Sequence, residues 1–287
     1  MIRNKIIIGS ANVNKRYGLI NNKININEFK KLLNFAVIKG IKTVDTSPQY
    51  SNSEKVIGSV KKNFKIITKI TRIPSKIKNI EIEKWITNQF LQSSKNLRLN
   101  KVYGLLLQNA EILLSKNSKF VFRALLNLKK KNKLQKIGIS VYNFKTLEKI
   151  INQYHIDFVQ VPYNIFDRRI ENVRLIKKIK KKGIEIHVRS IFLQGLLTKR
   201  NIRIPKKLLS LKKGLESWKK WLEMNKLTTI NACLNFVLRN KNVDKIVIGF
   251  NDLESFKQVI NYKKSTINFR KLNIKIDSKH LDPRKWN

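Results

Sequence analysis

The sequence predicts a single α/β domain in which eight parallel strands and the helices between them form a (β/α)8 barrel, the TIM barrel architecture. Eight short apolar runs alternate with longer stretches whose apolar residues recur at helical spacing. This alternation is typical of a parallel sheet covered by helices, and eight such units close naturally into a barrel. No Pro-, Gly- or Ser-rich linker divides the chain, so we expect residues 1–287 to fold as one domain.

The boundaries of the elements follow from the same pattern. We predict strands over residues 6–10, 42–45, 65–69, 101–108, 136–140, 158–162, 184–190 and 245–249. Helical spacing of apolar residues predicts helices that include residues 27–39, 81–97, 119–131, 144–153 and 168–182. Gly40 and Gly183 each stand between a predicted helix and the strand that follows, where glycine commonly ends a helix.

Polar or very small residues lie at or near the ends of all eight predicted strands. They are Ser10, Asp45, Lys69, Gln108, Ser140, Gln160, Ser190 and Gly249. In a barrel of this kind the active site lies at the carboxyl ends of the strands. Strand ends are often polar simply because they lie near water, but that explanation does not favour an aspartate and a lysine at the ends of adjacent strands.

The segment T-V-D-T-S-P-Q-Y at residues 43–50 contains the first candidate catalytic residues. Asp45 ends a strand, Tyr50 lies in the adjoining loop, and Lys69 ends the next strand. Phenol, ammonium and carboxylate together can form a proton donor, because a cation favours loss of the phenol proton and a carboxylate keeps the lysine charged. The alternative interpretation is a surface ion pair with a tyrosine nearby.

The succession D-T-x-x-x-Y, S-E-K-V-I-G and I-T-K resembles the aldo-keto reductase family, and the resemblance runs from Gly9 to the closing L-D-P-R-K-W. Short loops after the fourth and seventh strands are similar to those of its compact bacterial members, which are often associated with sugar metabolism. The resemblance implies that NADPH, or NADH, reduces an aldehyde or ketone. In that reaction Tyr50 would protonate the substrate oxygen, Lys69 would assist it, and Asp45 would hold Lys69 in place.

Two positions depart from the family pattern. Gln108 stands where members carry a histidine, and Val141 replaces the asparagine of a G-V-S-N segment. A glutamine amide can donate a hydrogen bond but cannot carry a proton at neutral pH, so we expect Gln108 to position the substrate. The departures support a second hypothesis, a barrel that binds the cofactor but reacts slowly and acts as a sensor or partner subunit. We expect His187 to be a barrel residue and not a catalytic one.

The resemblance also implies a cofactor site at the mouth of the barrel. G-I-S and V-Q resemble the segments that hold the nicotinamide carboxamide, S-I-F-L-Q-G-L-L-T the loop around the pyrophosphate, and I-V-I-G-F-N the segment near the adenosine phosphate. Arg189 stands where many members stack an aromatic ring on the nicotinamide. The implied residues are Ser140, Gln160, Arg189, Ser190, Phe192, Gln194, Gly249 and Asn251, with Lys257 a further candidate near the adenosine.

The charge of the chain allows a third hypothesis, a nucleic-acid binder. Lys and Arg number 62 against 18 Asp and Glu, which gives a formal net charge of +44, and such a field attracts phosphates. Because the lysines are spread along the whole chain, we attribute the charge mainly to a genome rich in Lys, Asn and Ile codons. We therefore expect an anionic carbonyl substrate or a phosphorylated cofactor, and no specific nucleic-acid partner.

Several other classes of protein are excluded by composition. The one cysteine, Cys233, cannot form an internal disulfide, and no Cys/His cluster or H-E-x-x-H helix predicts a metal site. No apolar run reaches the roughly 18 residues of a membrane helix, and the apolar run near the N-terminus is too short for a secretory signal. We therefore expect a cytoplasmic protein without a membrane or metal partner, and we predict no oligomeric state.

Overall fold

Eight parallel strands close into a barrel in sequence order, and the last strand returns to pair with the first. The computed structural model describes residues 2–18, 23–60, 62–198, 204, 206–269, 272, 274, 276–277, 280–283 and 286. The strands are β1 (Ile6–Gly9), β2 (Thr43–Asp45), β3 (Lys65–Ile70), β4 (Val102–Leu107), β5 (Leu134–Ser140), β6 (Phe158–Pro162), β7 (Glu185–Arg189) and β8 (Lys245–Gly249). This topology confirms the predicted (β/α)8 barrel.

Helices cover the outside of the barrel. Within the described residues they are α1 (Ile26–Ile38), α2 (Ser53–Ser59), α3 (Ile82–Leu97), α4 (Ser118–Lys130), α5 (Phe144–Gln153), α6 (Val173–Lys181), α7 (Lys212–Met224), α8 (Thr229–Leu238) and α9 (Leu253–Ile260). Their buried apolar side chains and those of the strands form the main hydrophobic core. None of the helices in this part of the chain has the length and hydropathy needed to span a membrane.

The predicted strand boundaries agree with the observed ones to within two residues, but the helix predicted over residues 168–182 is wrong at its start. A short 3-10 turn (Arg169–Glu171) comes first, and α6 begins only after Asn172. Asn172 has extended backbone angles, and its side chain accepts a hydrogen bond from the backbone N–H of Leu175 at 3.0 Å. An asparagine in this position caps a helix N-terminus and so fixes where the helix starts.

Inside the barrel, Phe158 fills the space that two glycines leave free. A Cβ atom on Gly104 would lie 3.1 Å from the Phe158 ring, and one on Gly138 would lie only 2.2 Å from it. The rest of this buried apolar layer consists of Ile7, Ile67 and Leu106. Protein interiors are close-packed, so Gly138 of the G-I-S segment is needed for packing, whatever the neighbouring Ser140 does.

A cluster of three ionisable side chains lies next to this layer, toward the amino ends of the strands. His187 stacks on Phe158 with ring centroids 4.7 Å apart, and its Nε2 lies 3.0 Å from Glu185 Oε2. Lys136 donates to the other oxygen of the same carboxylate. Burial lowers the pKa of His187 and keeps the imidazole neutral at pH 7. The hydrogen bond with His187, helped by Lys136, holds the pKa of Glu185 at about 2 despite partial burial.

We expect Gly138→Ala to lower the free energy of unfolding by about 1–3 kcal/mol, because the added methyl group overlaps the Phe158 ring. Urea unfolding followed by circular dichroism measures the change. In a double-mutant cycle, Phe158→Leu should recover part of the loss by making room for the methyl group. Wild-type stability of Gly138→Ala would show that the packing argument is wrong.

Glu185→Gln should lower the free energy of unfolding at pH 7 by about 1–2 kcal/mol. The pKa of Glu185 in the folded protein, about 2, is below its ordinary value of 4.5. Its carboxylate therefore stabilises the fold above pH 4.5, and this contribution is lost as the pH falls toward 2. Urea titrations at pH 7, 5 and 3 should show the wild-type advantage shrinking.

The control for this prediction is Glu148→Gln. It removes the carboxylate on α5 that forms an exposed ion pair with Lys178 on α6. Exposed pairs contribute little, so this change should cost less than about 0.5 kcal/mol at every pH. An equal loss for Glu185→Gln at pH 7 and pH 3 would contradict the assignment of its depressed pKa.

Candidate active site

Asp45 and Lys69 form a buried ion pair at the carboxyl ends of β2 and β3. Their side chains are 5% and 3% exposed. Lys69 Nζ donates to Asp45 Oδ1 at 2.5 Å and to the backbone carbonyl of Thr46 at 2.8 Å. The Lys69 ammonium also lies 4.7 Å from the centroid of the Tyr50 ring. The structure thus brings together the phenol, ammonium and carboxylate that the sequence singled out.

The surroundings of Lys69 keep its side chain charged. Burial opposes the positive charge, but Asp45 and Tyr50 outweigh burial and hold the pKa of Lys69 above its ordinary value. Because the pKa is higher in the folded protein, the charged lysine stabilises the fold at any pH below its unfolded-state pKa. This contribution is lost only as the pH rises through the folded-state pKa. The Lys69 ammonium is therefore charged throughout the neutral pH range.

Gln160 connects this ion pair to the opposite wall of the barrel. Its Nε2 donates to Asp45 Oδ2 at 2.9 Å, so both carboxylate oxygens have a partner. Because β2 and β6 are not neighbours in the sheet, this hydrogen bond crosses the barrel opening. No described residue donates a hydrogen bond to Gln160 Oε1, and this oxygen is not fully buried. It can therefore accept a hydrogen bond from a ligand.

The S-E-K-V-I-G segment at the start of α2 holds the site together without lining it. Ser53 Oγ donates to the backbone carbonyl of Ser10 at 2.9 Å, which joins α2 to the end of β1. Glu54 Oε1 accepts a hydrogen bond from Thr68 Oγ1 at 2.7 Å, which joins α2 to β3. These two residues fix the ends of β1 and β3, and Lys69 projects from the end of β3.

A cavity of about 340 Å³ opens beside the ion pair. It extends from Asp45, Tyr50 and Gln160 to the loop that follows β8. Further lining residues that the sequence predicted are Arg189, Ser190, Phe192, Gln194, Gly249 and Asn251, and others include Ser10, Asn12, Tyr17, Ser255 and Gln258. Nine of the twelve predicted site residues therefore line one cavity.

The remaining predicted residues lie outside the lining of this cavity. Lys69 is in contact with Asp45, and Ser140 lies beside Arg189, whose Nη2 is 3.5 Å from the serine hydroxyl. Gln108 is exposed just beyond β4 and does not line the cavity. Lys257, the further candidate, pairs with Glu254 on α9. The substrate-positioning role of Gln108 stays a prediction.

The loop after β7 has an unusual backbone. Ser190, Leu193 and Gln194 have positive φ angles of 57°, 47° and 53°, which non-glycine residues rarely adopt. Asn164 supports this conformation by donating from Nδ2 to the Ser190 carbonyl at 3.0 Å.

This loop also has the features of an anion-binding backbone. Successive residues with right- and left-handed backbone angles form concave nests of N–H groups that bind anions. Within the described residues, the N–H groups of Ile191, Phe192 and Gln194 have no backbone acceptor.

Tyr17, which the sequence analysis did not single out, also lines the cavity. Although 46% of its side chain is exposed, burial of the phenol together with Tyr50 and Tyr142 holds the pKa of Tyr17 above its ordinary value. Its hydroxyl group is therefore neutral and can donate a hydrogen bond. The only signal in the sequence was an aromatic residue next to Gly18 in the loop after β1.

The chain is similar to known proteins over most of its length. The model of the Aldo/keto reductase family matches residues 5–275, and no curated protein matches the sequence. An aldo-keto reductase from Bacillus halodurans, in its holo form, superposes with a TM-score of 0.74 and 17% identity over 97% of this chain and 95% of that one. For a glycerol dehydrogenase from Gluconobacter oxydans the TM-score is 0.69, with 17% identity over 93% and 89%.

The two kinds of similarity support different statements. At such low identities the solved structures establish the shared fold alone. The family model, in contrast, spans Asp45, Tyr50, Lys69 and every described residue that lines the cavity. The protein therefore belongs to the aldo/keto reductase family and is an oxidoreductase.

Proposed function

We propose that this protein reduces a small-molecule aldehyde or ketone to the alcohol with NAD(P)H, and that Tyr50 donates the proton. The observation that carries the proposal is the buried Lys69–Asp45 pair next to the Tyr50 ring at one end of the cavity. We favour NADPH over NADH because the positive field of the chain attracts the additional phosphate.

The residues of the cavity fit a nicotinamide dinucleotide. At the Tyr50 end, the accessible Oε1 of Gln160 can accept a hydrogen bond from a carboxamide N–H. Along the loop after β7, the N–H groups of Ile191, Phe192 and Gln194, which have no backbone acceptor among the described residues, suit a pyrophosphate. Beyond β8, Asn251 contributes an exposed amide to the end of the cavity where the adenosine would lie.

In the proposed reaction the cofactor supplies a hydride, and the chain supplies the proton. The carbonyl carbon accepts the hydride with its electron pair, while the carbonyl oxygen takes the proton of Tyr50, so that a neutral alcohol forms. Lys69 stabilises the phenolate left behind until solvent reprotonates it. Asp45 holds the Lys69 ammonium in place, and Gln160 holds Asp45.

The substrates to test first are sugars, sugar derivatives and other small carbonyl compounds that carry an anionic group. The second candidate function is cofactor binding with slow or no turnover, and the exposure of Gln108 favours it. General acid-base assistance typically contributes about 10²–10⁴-fold to a rate. A protein without the assisting side chain at this position could therefore bind cofactor well and still react slowly.

Tyr50→Phe should lower kcat for carbonyl reduction by at least about 10³-fold, because the ring remains and only the proton donor is lost. The Kd for NADPH, measured by fluorescence titration, should stay within about threefold of the wild type. Tyr154→Phe is a matched control, since that ring packs on Phe122 away from the cavity. Survival of activity in Tyr50→Phe would remove Tyr50 as the proton donor.

The same titration tests the proposed function itself. Wild-type protein should bind NADPH or NADH with a Kd in the micromolar range. Binding of neither cofactor would contradict both the reductase and the cofactor-sensor hypotheses.

Gln108→His should raise kcat/KM for a small aldehyde by about tenfold or more if a group at this position assists proton transfer. The measurement is a pH profile of kcat/KM for both proteins. A histidine that takes part should add a titration near its ordinary pKa of about 6.5. An unchanged rate and profile would mean that residue 108 does not reach the reacting carbonyl.

A further inference from the structure

Arg189 is a cation within the cavity that has only neutral partners among the described residues. Its Nη2 lies 3.5 Å from Ser140 Oγ and 3.4 Å from the Val141 carbonyl oxygen, distances at the outer limit for hydrogen bonds. The guanidinium carbon lies 3.9 Å from the centroid of the Tyr142 ring. This stacking fixes the plane of the guanidinium without neutralising its charge.

The charges near Tyr50 therefore do not cancel. Among the described residues that line the cavity, Asp45 is the one carboxylate and Arg189 the one cation. Asp45 is already paired with Lys69 at 2.5 Å, so it cannot also compensate Arg189. Lys69 and the described lining residues together therefore carry one net positive charge, in a partly buried site where charges interact more strongly than in bulk water.

We propose that Arg189 makes the site prefer the reduced cofactor, whose nicotinamide ring is neutral, over the oxidised cofactor, whose ring is cationic. The inference rests on the proposed function, in which hydride and proton reach the two bonded atoms of one carbonyl. The nicotinamide must then lie near Tyr50. Arg189 lines the same cavity, and its Nη2 lies 3.5 Å from Ser140, which pairs in the sheet with Gln160, the residue bonded to Asp45. Repulsion between like charges raises the free energy of the oxidised complex only.

This bias acts on binding and rates and leaves the overall equilibrium of the reaction unchanged. Weaker binding of the oxidised cofactor speeds its release after each reduction and raises the concentration of oxidised cofactor needed for the reverse oxidation of an alcohol. A neutral side chain at position 189 would give no such bias. Arg189 would thus act on the choice between the two redox states of the cofactor, while Tyr50 and Lys69 act on the proton.

The test is a set of equilibrium titrations with NADPH and NADP⁺, and with NADH and NAD⁺, for the wild type and two variants. Arg189→Met removes the charge and keeps a long side chain, whereas Arg189→Lys keeps the charge and loses the planar fork. Lys178→Met removes a positive charge from the surface of α6 and controls for the net charge of the chain. Near-UV circular dichroism checks that each variant is folded.

We expect Arg189→Met to tighten binding of the oxidised cofactor by roughly 10- to 100-fold and to leave the Kd of the reduced cofactor within about threefold. Arg189→Lys and Lys178→Met should keep the wild-type ratio of the two Kd values within about threefold. An unchanged ratio in Arg189→Met, or equal weakening of both cofactors, would overturn the inference and leave the proposed function intact. Binding of neither redox state by the wild type would instead overturn the proposed function.

Discussion

The buried ion pair between Lys69 and Asp45 is the constraint on which the site depends. Two opposite charges that are nearly excluded from water are stable only with good geometry and further hydrogen bonds. The Thr46 carbonyl and the Gln160 amide provide them. Because Gln160 lies on the far wall of the barrel, satisfying the pair also fixes the width of the opening. The contacts that hold Lys69 beside the Tyr50 ring are therefore the same ones that tie the two walls of the cavity together.

The barrel interior separates two charged groups by an apolar layer. Phe158 occupies the axis because Gly104 and Gly138 have no side chains. On the amino side lie Glu185, His187 and Lys136, and on the carboxyl side lies the Asp45–Lys69 pair beside Tyr50. Arg189 lines the cavity on the carboxyl side, and among the described residues it has only neutral partners.

The two departures from the family pattern, Val141 and Gln108, lie in different places in the structure. Val141 contributes its backbone carbonyl oxygen to Arg189 at 3.4 Å, a contact that does not depend on the Val141 side chain. Gln108 is exposed beyond β4 and has no wall position in the cavity. Position 141 therefore lies beside Arg189, whereas position 108 lies outside the cavity wall.

The sequence by itself determined the barrel, the strand ends and most of the site, because alternating apolar runs fix which segments are strands and a closed parallel sheet brings all carboxyl ends to one side. It also indicated Asp45, Tyr50 and Lys69 through their places at adjacent strand ends. Only the tertiary structure decided which polar ends share the cavity, that Gln160 reaches Asp45 across the barrel, and that Tyr17 joins the site. These facts depend on contacts between segments far apart in the chain, and no local pattern of residues specifies such distances.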